Sequence, residues 1–212
     1  MEKFLEAAAI AWNPVGEVRK RLQSGTLSFT SVLAAYVGIV IVCNLFALGA
    51  QQFYLESVLH VTGRQMPDHP LIKSAYAQQF MSAVGVLAPL GAVALLPKSV
   101  FHPPGRSATL AAILVVAAGW AFYGAAIMAP IYFMAGALLT VSRELGELVT
   151  VLLGIPAMIA ILALTLFFWF RIMLSILALS GAQVAAITLV ALIALGLLTA
   201  FFLYIGPAAF PS

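Results

Sequence analysis

The feature that most limits what this chain can fold into is a set of long stretches without one charged side chain. They run from Leu22 to Leu55, Ser74 to Pro97, Ser107 to Ser142, Leu148 to Phe170 and Ile172 to Ser212. A helix needs about 20 apolar residues to cross a bilayer, and hydrocarbon offers no water to satisfy unpaired backbone groups. Each stretch is long enough. Only 8% of the residues are charged, against about a quarter in soluble domains. A buried helix of a soluble protein is shorter and has amphipathic partners, which this sequence lacks. The expected fold is therefore all-α, a polytopic helical membrane protein.

Five spans are expected, at Leu27–Leu48, Tyr76–Pro97, Ala108–Pro130, Leu148–Phe170 and Gln183–Tyr204. They divide the chain into a cytoplasmic amphipathic and basic segment (1–26), a transmembrane domain (27–206) and a short tail (207–212). The third run exceeds one span yet is tight for two. One tilted helix ending near Pro130, followed by an interfacial stretch from Ile131 to Val141, is the expected solution. A second crossing there would put the C-terminus inside. With the N-terminus in the cytoplasm, Lys3, Arg19, Lys20, Arg21, Lys98, Arg106 and Arg171 lie inside, and Arg64, Lys73 and Arg143 outside. That asymmetry favours N-in and C-out.

The net charge of +3 does not point to nucleic acid, because the basic residues are scattered through membrane flanks and form no binding face. Cys43 is the only cysteine, so no intrachain disulfide or thiolate metal site can form. The apolar run after Arg19, Lys20 and Arg21 begins too far into the chain, and is too long, for a cleaved signal peptide. An uncleaved anchor is expected.

Met1 to Leu22 is the one segment that mixes apolar and charged residues. Phe4, Leu5 and Ala8 share a helical face with Trp12 a turn on, as in a helix lying on the membrane surface. Asn13-Pro14 then restarts the helix, with Asn as N-cap and Pro at the first position, where its missing N–H has no partner to lose. Trp12, Arg19, Lys20 and Arg21 at this end, and Trp169 and Arg171 at the end of the fourth span, are expected interface anchors.

No Asp, Glu, Lys, Arg or His falls mid-span, which argues against a carboxylate relay, a voltage sensor or a charge-lined ion path. Catalytic motifs are missing too, so neither an enzyme nor a cofactor is expected. The best polar cluster is His60, Asp68 and His69. Two imidazoles and a carboxylate are weak zinc candidates, although Met66-Pro67-Asp68-His69-Pro70 reads better as a solvated turn. Pro89 and Pro156 sit inside spans, where each frees the carbonyl four residues earlier (Gly85 and Leu152). Such a break makes a packing kink or lines a transport site. In the third span Ala111, Ala118 and Ala125 form one line and Ala112, Gly119 and Ala126 another. Their small side chains let a neighbouring helix approach, whether from this chain, a second copy or another protein.

The layout resembles the Yip (Ypt-interacting protein) family, in particular its compact bacterial branch of five-helix membrane proteins. The Trp12-Asn13-Pro14 start before a short basic helix is similar to the family's N-terminal proline signature. The run from Leu174 to Gln183 resembles its small-residue hairpin, and the order of spans matches. Tyr123 and Pro130 fit its tyrosine-then-proline element only loosely. The resemblance implies a small protein of the bacterial inner membrane and supplies no catalytic residues. The expected role is non-enzymatic, through association with lipid, a membrane protein partner or a second copy. The alternative is a small transporter, or transporter subunit, for an uncharged or amphipathic solute.

Overall fold

A computed structural model of the chain describes residues 8–62, 86–97, 101 and 105–209. Among the described residues all regular structure is helical. A short helical stretch at residues 8–12 precedes α1 (Pro14–Gln23), α2 (Phe29–Thr62), α3 (Val86–Leu95), α4 (Arg106–Leu139), α5 (Arg143–Ile176) and α6 (Gly181–Ala209). Helices α2, α4 and α5 have 34 residues each and are apolar enough to cross a membrane. At 1.5 Å per residue each is about 51 Å long, against a hydrocarbon core of about 30 Å, so each also reaches into the flanking layers.

These lengths correct several expected boundaries. Helix α2 continues past Leu48 to Thr62, which puts His60 in its last turn instead of a loop. Helix α4 passes through Pro130 and ends at Leu139, so the stretch expected to be interfacial is mostly helical. Pro130 sits on an exposed face, and continuing the helix satisfies every other backbone group in a medium without water. At Pro156 the ladder is not simply broken. The turn before it, Thr150–Gly154, is a π-helix, whose i→i+5 bonding redirects carbonyls past a residue that cannot donate.

Helices α2 and α4 run parallel. The Phe29 amide donates to Ser107 Oγ at 3.4 Å at one end, and the Tyr54 and Tyr132 rings lie 5.7 Å apart near the other. The buried residues of α2 are Val32, Ile39, Cys43, Ala50 and Ser57, spaced by seven or four as in left-handed helix pairing. Gly136 permits close contact at the far end, since a Cβ there would lie 2.9 Å from the Phe53 ring. Parallel neighbours need a connection that returns along their length. Helix α3 belongs to that connection, and Arg106 binds its end back to the start of α4 by donating to the Ala94 and Leu96 carbonyls.

Helix α5 is antiparallel to α4. Gly146 packs on Leu139 beside the connecting turn, and Phe168 lies 5.8 Å from Tyr123, ring to ring, further along. It closes with a π-helical turn, Arg171–Ile176, which buries the adjacent residues Ile172 and Met173 together. Ala178 then adopts a left-handed conformation (φ 52°), and Ser180 and Gln183 start α6 with a reciprocal cap. The Ser180 amide donates to Gln183 Oε1 at 2.6 Å, and the Gln183 amide donates to Ser180 Oγ at 3.3 Å.

The core surrounds the first half of α4. There Ala111, Ala112, Ile113, Leu114, Val115 and Val116 are buried in succession, on every side of the helix. Ile10 and Ala11, Val18 of α1, Ile39 of α2, Val93 of α3, Ile172 of α5 and Ile187 of α6 complete the cluster. Away from it, large apolar side chains face outward, among them Leu45 at 67% exposure and Ile159 at 63%. Such a surface is stable when the surrounding solvent is lipid.

Candidate functional site

Helix pairing sorts the charges onto two ends. Glu17, Arg19, Lys20, Arg21, Arg106 and Arg171 lie toward the end where α2 and α4 begin. Glu56, Arg143, Glu144 and Glu147 lie toward the other. Among the described residues the first end is thus strongly basic, the second carries three acids and one base, and the zone between is apolar and free of charge. At the acidic end Gln52 donates to Glu56 at 2.9 Å and Arg143 to Glu147 at 2.6 Å, both one turn apart along a helix. The Arg143–Glu147 ion pair is exposed and contributes little stability.

The basic end is built on the N-terminal segment. Asn13 caps α1 as its sequence implies, accepting from the Gly16 amide at 3.0 Å, with Pro14 in the first turn. The segment does not merely lie on a membrane surface, because Ile10, Ala11 and Val18 are fully buried against the bundle. Gly119 makes that docking possible: a Cβ there would stand 2.9 Å from the Pro14 ring and 3.7 Å from the Ala11 carbonyl. The Tyr123 hydroxyl donates to the Trp12 carbonyl, and the Trp12 ring meets Phe122 edge-on at 6.0 Å.

The expected anchors therefore have different surroundings. Trp12 is 67% exposed, and Arg19 and Lys20 face outward. Arg21 is buried, with Nε donating to Glu17 at 3.4 Å, while its carbonyl accepts the Thr26 and Leu27 amides. Trp169 turns inward and donates to Thr188 Oγ1 of α6 at 3.2 Å. Arg171 is exposed, its guanidinium 5.7 Å from the centre of the Phe167 ring.

The small-residue seam is consumed within the chain. Ala111, Ala112, Ala118, Gly119 and Ala125 are buried, whereas Ala126 faces outward. Five of the six expected positions thus offer no surface to a second protein. Asp68 and His69 lie outside the described residues, as does Gly85, whose carbonyl Pro89 would free. Pro89 itself is within α3. Among the described residues no three His, Cys, Asp or Glu side chains form a group that could hold a metal.

One groove is open on the outer surface between the end of α5 and the start of α6. It measures about 400 Å³ and is lined by Phe170 and Leu174 from α5 and by Gly181, Ala185, Thr188 and Leu192 from α6. Sequence reading missed it, together with the Arg106 cap and the Tyr123 hydrogen bond, because each joins residues of different helical segments. The Ser180-to-Gln183 spacing was legible as a capping box.

Comparison with protein-family models, curated proteins and solved structures found no match to this chain. Among the described residues the fold is all-α, with three helices long and apolar enough to cross a membrane, in keeping with a membrane protein.

Proposed function

We propose that the chain is a five-span protein of the bacterial cytoplasmic membrane, N-in and C-out, with a non-enzymatic, membrane-organising role exerted through its lipid-facing helices. The observation that carries the proposal is the separation of charge. Described basic residues gather at the end holding α1, and three of the four charged residues described at the opposite end are acids. Cytoplasmic flanks are the basic ones. The parallel pairing of α2 and α4 supports a return crossing between them, which brings the crossings to five when α6 is counted.

Lipid is favoured over a protein partner because the small-residue seam is already filled from within the chain. Outward faces instead carry large, scattered apolar side chains such as Leu45, Ile159 and Leu192. The resemblance to the Yip family belongs to the same proposal and rests on Trp12-Asn13-Pro14 and the Leu174–Gln183 turn. The test is cysteine labelling in intact cells, in a Cys43→Ala background. Gln23→Cys should react only with a permeant thiol reagent, and Thr140→Cys with an impermeant one as well. Labelling of both positions from outside, or of neither, rules the proposed orientation out.

A further inference from the structure

The groove between α5 and α6 is apolar and open toward what would be lipid. Phe170 and Leu174 form the α5 wall, and on the α6 wall the small Gly181 and Ala185 stand among Val184, Leu189 and Leu192. Its one polar lining group, the Thr188 hydroxyl, already accepts the Trp169 N–H, so little in the groove would favour water. A volume of about 400 Å³ falls in the range of small-ligand sites.

Arg171 follows Phe170 directly and lies one short turn from Leu174, the two α5 residues that line the groove. It is exposed, stacks on Phe167 and has no carboxylate partner among the described residues. Helix α1, which presents Arg19 and Lys20 outward, packs on the same Arg171–Ile176 turn. An apolar slot on the helix surface that also carries Arg171, at the basic end of the bundle, complements a molecule with an acyl chain and an anionic head.

We propose that this groove holds one acyl chain of an anionic phospholipid, whose phosphate sits beside the Arg171 guanidinium. The site rests on the membrane reading above and gives it a specific lipid class. The phosphodiester accepts hydrogen bonds from the planar guanidinium, and the chain replaces looser bilayer contacts with the Phe170, Leu174 and Leu192 walls. An arginine near an anionic headgroup is worth about a fivefold preference.

The test is native mass spectrometry of the full chain in detergent, with phosphatidylglycerol and phosphatidylcholine of identical acyl chains added in competition. Wild type is expected to retain the anionic lipid about fivefold over the zwitterionic one. Arg171→Gln should lose the preference, Ala185→Phe should fill the groove and lose retention of both lipids, and Arg143→Gln at the opposite end should match wild type. Equal retention of the two lipids by wild type overturns the site. So does a preference that survives Arg171→Gln, or retention that survives Ala185→Phe. The membrane reading is scored separately by an alkaline wash of the source membranes. A chain that stays with the bilayer but shows no preference overturns the site alone, and one that washes off overturns both.

Discussion

Replacing Gly119 by valine should release the N-terminal segment from the bundle. Already at the Cβ stage the new side chain would stand 2.9 Å from a Pro14 ring carbon, well inside the optimal carbon separation of about 3.5–4.0 Å. The rigid proline ring cannot turn away as a flexible side chain would, and the Ala11 carbonyl and Phe168 ring close the other directions. Overpacking of this kind costs about 1–3 kcal/mol. Because the strain disappears when residues 8–23 lift off, it would raise the undocked population by roughly five- to 150-fold. Trypsin cleavage after Arg19 and Lys20, which requires local opening of α1, should accelerate by a similar factor when opening is fast relative to cleavage. The products are resolved by mass. Gly124→Val is the control, since a Cβ at Gly124 meets nothing within 4 Å. Equal cleavage of wild type and both variants would falsify the docking geometry.

Three further outcomes can be measured. Arg106→Gln removes the charged donor that closes the end of α3 on the Ala94 and Leu96 carbonyls. It is expected to cost about 1.5–3 kcal/mol, read as a lower thermal midpoint in detergent, and an unchanged midpoint counts against the cap. Ser180→Ala should cost about 1 kcal/mol. Adding Gln183→Ala should cost clearly less than its effect alone, because the two side chains cap reciprocally; strict additivity in the double-mutant cycle refutes the pairing. Ala118→Ile should destabilise the monomer itself by about 1–3 kcal/mol, since Ala118 is fully buried in the core. Loss of partner recovery without loss of monomer stability would return the seam to an intermolecular role.

That the chain is helical and apolar follows from its residues alone, because the length of an uncharged run and the absence of water in hydrocarbon leave a backbone few other choices. So does the local start of α1, since Asn13 and Pro14 act within one turn of themselves. Helix ends were less legible. Pro130 reads as a terminus, yet the helix continues past it to Leu139, as the surrounding backbone has no better place for its hydrogen bonds. The direction in which the small-residue seam faces is set by helix packing. Gly119 could pack on any helix, and it is covered here by Ala11 and Pro14, about one hundred positions earlier in the chain. The same holds for Arg106 reaching α3, for the charges gathered at each end and for the groove beside Arg171. Each depends on the relative placement of helices, which apolar side chains of similar size and no direction do not encode locally.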